Sequence, residues 1–210
     1  MPVPSRTEAL ALLESTSPSP RLRGHVTVVA EVAAFLAHRT QSRGLAVDRR
    51  LVEAAALLHD VDKALPLDHP LRALGHGRAG AEWLAQAGHA ELARTVAAHP
   101  VMRLVEPDAD EWIADGQLEE RIVAYADKRA TQRVVSLDQR FARWCRKHPD
   151  YADRLHDALL QARRLEEGVC AAAGVAATQV ERLRWVDEAR ARAFAAGALA
   201  ARSTERAASP

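Results

Sequence analysis

The strongest constraint on the fold is the spacing of apolar residues, which recur at helical intervals in one segment after another. In one such segment, Val26, Val29, Val32, Ala33 and Leu36 form a single helical stripe. Alanine makes up about one residue in five and aromatic residues only 4% of the chain, so the usual strand formers are scarce. We identify no convincing strand and no internal repeat. The sequence therefore predicts an all-α protein.

Capping residues and helix breakers divide the chain into separate helices. Ser5 and Glu8 form a capping box at the first helix, and Thr178 and Glu181 form another near the end of the chain. Asp48 is the expected N-cap of the third helix. The predicted helices cover residues 5–14, 23–38, 48–60, 77–87, 90–98, 118–147, 151–172 and 178–200, with loops over 61–75 and 106–115.

The charge balance and the absence of long apolar runs exclude several classes of protein. Lys and Arg number 29 against 28 Asp and Glu, and this balance argues against a strongly basic groove, so no specific nucleic-acid partner is expected. No apolar run approaches the roughly 18 residues of a membrane helix, and residues 1–5 lack the apolar core of a signal peptide. Two cysteines without a CxxC pair fit a reducing compartment. We therefore expect a soluble, cytoplasmic protein with no membrane partner.

Histidine and aspartate recur among apolar residues in five separate segments. The candidates are His25, the pair His59-Asp60, His76, His99 and Asp127. Each alone has an ordinary explanation, as a core histidine bonded to a carbonyl or as a carboxylate paired with an arginine. An unpaired carboxylate at Asp127 would be costly to bury, and Gly75 and Gly77 would let the backbone at His76 approach a crowded centre. Five such segments together favour a shared site, whereas a second pair, His156-Asp157, lies among charged residues and is interpreted as surface.

The order of these residues resembles that of the HD phosphohydrolase superfamily, which is His, then His-Asp, then two further His, then Asp. The resemblance covers residues 21–144, and the two additional histidines are typical of the branch that binds two metal ions. The chain is most similar to the bacterial symmetrical diadenosine tetraphosphate hydrolase group, through Leu57 to Lys63, His76-Gly77, His99, and Ala126-Asp127 followed by Arg133. Pro100 stands where that group usually has Thr, and Thr131 and its neighbours replace a Glu-Pro. These differences leave the substrate open.

The resemblance implies a metal centre within an HD-domain helical bundle. It assigns His25, His59, Asp60 and Asp127 to one ion, and His76, His99 and the bridging Asp60 to the other. A mixed nitrogen and oxygen site suits divalent transition metals better than calcium, with iron or manganese expected and zinc or magnesium as alternatives. Two ions about 3.5–4 Å apart can share a hydroxide, lower its pKa from about 15.7 towards about 7, and grip a phosphate oxygen.

Charged residues near the ligands complete the predicted site. Lys63 follows the His59-Asp60 pair by one helical turn and could neutralise a phosphate oxygen or help the leaving group. Asp62 could orient a ligand histidine or accept a proton. Asp60, Asp62 and Lys63 are therefore the expected catalytic residues, and Lys63, Arg129 and Arg133 are expected to bind the substrate.

These observations predict an N-terminal helix and loop (1–20), an HD domain (21–148), a C-terminal helical extension (149–200) and a disordered tail (201–210). The expected function is metal-dependent cleavage of a phosphoester or phosphoanhydride in a nucleotide, such as a dinucleoside polyphosphate, or in another phosphorylated small molecule. Two other classes stay open: a non-catalytic module that binds a nucleotide or metal, and a helical interaction protein. The extension is expected to pack on the core or against a second subunit, as in a homodimer.

Overall fold

The structure is a computed structural model that describes residues 2–195, and in these residues the chain is helical. The helices are α1 (Arg6–Ser15), α2 (Pro20–Ser42), α3 (Arg49–Leu58), α4 (Arg78–Gln86), α5 (Ala90–Ala97), α6 (Ala109–Asp115), α7 (Leu118–Lys128), α8 (Leu137–Lys147), α9 (Ala152–Ala173) and α10 (Ala177–Glu181). Residues 185–195 are also helical. Within the described residues, β pairing is limited to one bridge between Ala130 and Val134. The predicted all-α class, with a helical bundle and a C-terminal helical extension, is confirmed.

Local signals place several helix ends where the sequence predicts them. The Ser5 hydroxyl accepts from the backbone of Glu8 at 3.3 Å, and the Glu8 carboxylate accepts from the backbone of Ser5 at 2.7 Å. Asp48 caps α3 by accepting from the backbone N–H groups of Arg50 and Leu51. Gly174 ends α9 in the left-handed conformation, with φ of 63°.

Helix α2 runs through the centre of the bundle and packs against α3, α7 and α9. Small aliphatic residues cover its whole circumference, and Val26, Val28, Ala30 and Val32 are all fully buried. A helix that is apolar on all sides is stable only when other helices surround it. Because α2 also carries His25, this position brings that histidine into the interior.

The prediction of one helix over 118–147 is wrong, because the chain breaks after α7 and turns back. Ser136 and Gln139 form a capping box that starts α8 as a new helix. Across the break, the backbone N–H of Val135 donates to the carbonyl of Arg129 at 2.8 Å. A straight helix of 30 residues would extend for about 45 Å, whereas the break folds α8 onto α9.

Two further predictions need correction. Residues 106–115 were expected to form a loop, but α6 forms there because Trp112 and Ile113 are buried, and the Trp112 indole donates to Glu120 at 2.7 Å. The expected helix over 178–200 is interrupted at residues 182–184. Its capping residues are also wrong, since Gln179 Oε1 accepts from the backbone of Ala176 at 2.7 Å. The end of that helix and the predicted tail lie outside the described residues.

The C-terminal extension packs on the core of the same chain. Helix α9 lies against α2, α6, α7 and α8 and buries an apolar stripe that includes Leu155, Leu165 and Val169. In residues 185–195, the ring of Trp185 lies edge-on to Phe35 of α2, with ring centroids 5.8 Å apart. None of the described helices combines the length and the apolar character needed to cross a membrane.

Arg129 joins the break after α7 to this extension. Its side chain is 1% exposed, and its Nε donates to the carbonyl of Val135 at 2.8 Å. Its other nitrogens form ion pairs with Glu166 of α9 and with Glu181 of α10, the latter at 2.9 Å, and donate to the Tyr125 hydroxyl at 3.0 Å. The guanidinium is therefore fully occupied by groups that hold three parts of the chain together.

We predict that Arg129→Met lowers the free energy of unfolding by about 3 kcal/mol, because it removes one partner from a buried charge network. The matched control is Arg163→Met, since Arg163 forms an exposed ion pair with Asp138 at 2.7 Å; its effect should stay within about 0.5 kcal/mol. Urea unfolding of both variants measures the difference. Equal losses would contradict the role given to Arg129.

Candidate metal centre

Five elements bring the predicted ligands to one place. The side chains are His25 from α2, His59 and Asp60 just after α3, His76 just before α4, His99 just after α5, and Asp127 from α7. All except His76 are buried. The structure thus assembles all six predicted residues, although they are spread over more than 100 positions of sequence.

The first half of the centre consists of His25, His59 and one oxygen of Asp60, a group that could hold a metal ion. The Nε2 atoms of the two histidines are 3.3 Å apart, and they lie 3.5 and 3.6 Å from Asp60 Oδ2. Asp127 borders this group, because its Oδ1 lies 3.1 Å from His25 Nε2 and 3.8 Å from His59 Nε2.

The second half consists of His76, His99 and the other oxygen of Asp60, and this group too could hold a metal ion. The two histidine Nε2 atoms are 3.0 Å apart, and they lie 3.4 and 3.5 Å from Asp60 Oδ1. Asp60 therefore turns one oxygen to each pair of histidines. Its Oδ1 is buried and has no hydrogen bond of normal geometry within the described residues.

Hydrogen bonds on the far side of each ring fix the four imidazoles. Each Nδ1 lies within hydrogen-bonding distance of an oxygen atom. For three rings this oxygen is a backbone carbonyl: that of Ala56 for His59 (2.7 Å), that of Val96 for His99 (2.6 Å) and that of Thr131 for His25 (3.1 Å). For His76 it is the carboxylate of Asp62 (2.9 Å). Since the proton of a neutral imidazole then sits on Nδ1, each Nε2 presents a lone pair to the centre. Four lone pairs and carboxylate oxygens that converge without protons between them repel one another, and divalent cations relieve that repulsion. The donor set therefore fits metal ions.

Burial keeps two of the imidazoles, those of His59 and His99, in the neutral form that binds metals. Desolvation lowers the pKa of His59 to about 3 and also lowers the pKa of His99. Burial opposes ionisation of Asp60 and Asp127, but interactions with the groups around them outweigh it and hold both pKa values well below the usual range; these groups are chiefly the His59 ring, followed by the His99 ring and the Lys63 ammonium, for Asp60, and Lys128 for Asp127. His59 and His99 thus present neutral nitrogens beside the charged oxygens of Asp60 and Asp127, the protonation state that metal binding requires.

A glycine allows the segments of His76 and His99 to approach closely. Gly77 has a φ of 82°, and a Cβ atom at this position would lie 2.5 Å from Pro100 Cγ. Any other residue would therefore push the His76 segment away from the end of α5, or would strain its own backbone.

The family model for the HD domain matches residues 22–132, just over half of the chain and the part that contains all six of these side chains. The chain belongs to the HD domain family. A curated relative from Picrophilus torridus, a tRNA (cytidine(56)-2'-O)-methyltransferase, is 28% identical over 181 residues, which are 82% of this chain and 48% of that protein. The chain thus spans about half the length of this relative. No solved structure matches the chain.

Three charged side chains around the ligands of this HD domain have clear positions. The Lys63 ammonium lies 2.7 Å from the Asp60 carboxylate, and its side chain is half-exposed. Asp62 orients His76 through the hydrogen bond at Nδ1, and Arg72 fixes the Asp62 segment by donating to the Asp62 carbonyl at 3.0 Å. Lys128 is buried, lies 3.4 Å from Asp127 Oδ2 and donates to the carbonyl of His99.

The two predicted substrate-binding arginines do not line the cavity beside the candidate ligands. Arg129 is buried in the network with Glu166 and Glu181, so its guanidinium is not available to a substrate. Arg133 is exposed and is absent from the lining of the cavity beside the metal centre. The substrate contact predicted for the exposed Arg133 stays a prediction.

Other basic residues line that cavity instead. It has a volume of about 560 Å³ and reaches His25, Asp60 and Lys63 at its inner end. Its remaining basic lining residues are Arg21, Arg140, Arg143 and Lys147. Sequence reasoning missed the last three because a continuous helix over 118–147 would have carried them far from the ligands. The Ser136 and Gln139 capping box was the local signal that could have revealed the break.

We predict that Asp62→Asn weakens binding of a divalent transition metal by about 10- to 100-fold, because outer carboxylates fix and polarise ligand imidazoles. Competition with a coloured chelator measures this loss. Asp68→Asn serves as a control, since Asp68 is an exposed carboxylate in the following turn. An unchanged affinity in Asp62→Asn would contradict the role assigned to the hydrogen bond with His76.

Proposed function

We propose that this HD domain is a metal-dependent phosphohydrolase that acts on a nucleotide or another phosphorylated small molecule. The observation that carries the proposal is the placement of Asp60, whose two oxygens face two separate pairs of histidines. A carboxylate between two metal positions is an arrangement suited to hydrolysis of phosphate esters, because two ions stabilise both the attacking and the leaving oxygen.

In this proposal His25, His59, Asp60 and Asp127 hold one ion, and His76, His99 and Asp60 hold the other. Iron or manganese is the expected metal, since imidazole and carboxylate ligands suit both. The bound ions would supply Lewis acidity and a water of lowered pKa. No serine or cysteine nucleophile is then needed.

The protein side chains bind and orient the substrate. Lys63 is half-exposed on the cavity wall and within 2.7 Å of Asp60, so its ammonium can turn to a phosphate oxygen while it stays beside the ligands. Asp62 acts as a positioning residue because its carboxylate is occupied by His76. The basic lining of the cavity favours an anionic small molecule, for which a dinucleoside polyphosphate is one candidate.

The methyl transfer named for the relative is not carried over to this chain. The match covers 48% of that protein, so its named activity can reside in the other half. The homodimer, the cytoplasmic location and the domain boundaries expected from the sequence stay predictions.

The alternative is an HD module that binds a metal or nucleotide without catalysis. The position of Lys63 favours this non-catalytic module, because its ammonium lies 2.7 Å from the Asp60 carboxylate and already compensates part of the negative charge of that carboxylate. The complete set of six side chains speaks for the enzyme, since a site without catalysis has no need of a second pair of histidines.

We predict about two transition-metal ions per chain by elemental analysis of protein purified without chelators or a histidine tag. Asp60→Asn should release both ions, because each group loses a charged oxygen. One ion per chain in the wild type would support a mononuclear centre. No ion after reconstitution with iron or manganese would contradict the proposal.

We predict that His59→Ala with Asp60→Ala reduces hydrolysis of phosphate esters to background while circular dichroism still reports a helical fold. The chain offers a matched control in the exposed His156-Asp157 pair, because His156→Ala with Asp157→Ala removes the same two side chains elsewhere. Assays should include mononucleotides, cyclic nucleotides and diadenosine tetraphosphate. Metal-loaded wild-type protein that cleaves none of them would favour the non-catalytic module.

A further inference from the structure

Helix α8 turns a basic stripe towards the cavity beside the metal centre. Arg140, Arg143 and Lys147 occur at positions i, i+3 and i+7 of this helix and all line the cavity. A neighbouring face of α8 is anchored by Leu137 and Phe141, which are buried. The same helix therefore fixes its position through apolar contacts and presents positive charge to the open space.

The stripe begins at the metal ligands and leads outward. Arg140 Nη2 lies 3.3 Å from Asp127 Oδ1, so the first member touches the centre itself. Lys147 follows seven residues later, which is about 10 Å along a helix axis. A stripe of this length is longer than one phosphate group and can contact several linked phosphate groups.

Arg140 is also held in a defined orientation. Its guanidinium stacks on the Trp144 ring at 4.2 Å, and Trp144 in turn packs edge-on against Phe141 with ring centroids 5.0 Å apart. The Nε atom of Arg140 is buried and has no hydrogen-bond acceptor within the described residues. A guanidinium that is held in one orientation and still has an N–H group without an acceptor is suited to bind an anion.

Three of the other basic residues of the cavity form no ion pair within the described residues, whereas Lys63 is paired with Asp60 and Arg140 with Asp127. Within the part of the chain that the structure describes, no carboxylate forms an ion pair with Arg21, Arg143 or Lys147. Asp60 is the acidic residue among the side chains that line the cavity. The positive charge of Arg21, Arg143 and Lys147 is thus not compensated by an ion pair within the described residues.

We propose that α8 forms a subsite for the phosphate groups of a polyphosphate chain that lie beyond the phosphate at the metal centre. The substrate class is then a nucleotide or related molecule with at least two linked phosphates. This inference rests on the proposed function for the position of the reacting phosphate. It goes beyond the family assignment, because α8 begins after residue 132, where the match to the family ends.

Binding of inorganic tripolyphosphate and orthophosphate tests the subsite directly. Isothermal titration calorimetry in excess magnesium should show that wild-type protein binds tripolyphosphate at least about 10-fold more tightly than orthophosphate, since each additional charge-assisted contact adds affinity. Arg143→Ala with Lys147→Ala should abolish this preference. The matched control, Arg146→Ala with Arg154→Ala, removes the same charge from exposed positions outside the cavity and should keep it.

Two outcomes would overturn the subsite. One is a wild type without preference for tripolyphosphate, and the other is an equal loss in both double variants, which would mean that only net charge matters. Thermal melts check that each variant folds. If the variant with two alanines does not fold, the variant Arg143→Gln with Lys147→Gln is used to repeat the test.

The binding result also separates the two proposals. If α8 binds tripolyphosphate but the metal-loaded protein hydrolyses no phosphate ester, the proposed function fails and the subsite stands. If the protein hydrolyses a nucleoside triphosphate with the same KM in wild type and in Arg143→Ala with Lys147→Ala, the function stands and the subsite fails.

Discussion

The burial of the Asp60 carboxylate is the constraint on which the site depends. A charged carboxylate is stable in a helical core only if positive or polar groups surround both of its oxygens. Here the surrounding groups come from segments far apart in sequence, with His25 on one side and His76 and His99 on the other. The ends of α3 and α5 and the N-terminal part of α2 must therefore meet at one point, which fixes how these helices pack.

The same requirement explains why the histidines are held from behind. A ligand ring that could rotate would turn its lone pair away from the centre, which would then lose a donor to the metal. Carbonyls at the ends of α3 and α5 are not fully used within the helices, and those of Ala56 and Val96 accept from the ring nitrogens of His59 and His99. The helix ends thus provide the acceptors that orient the ligands, without additional side chains.

The ligands could be predicted from the sequence, whereas the cavity beside them could not. Each ligand carries a local signal, such as a histidine next to glycine at His76 or an aspartate within an apolar stretch at Asp127. The break after α7 has only a weak local signal, because helical periodicity continues across it. What stabilises the break is Arg129 and its partner Glu166, which lie 37 residues apart. Such a pair is set by tertiary packing, and a single sequence does not reveal it.

Arg129 therefore connects the C-terminal extension to the chemistry of the site, although it does not face the cavity. Its ion pairs with α9 and α10 hold the turn from which α8 starts, and α8 supplies the basic wall next to the ligands. The ligands lie within the segment shared with the HD family, whereas α8 and the extension lie beyond it. If both proposals hold, the shared segment would provide the metal centre, and the additional helices would determine which anion can extend from it.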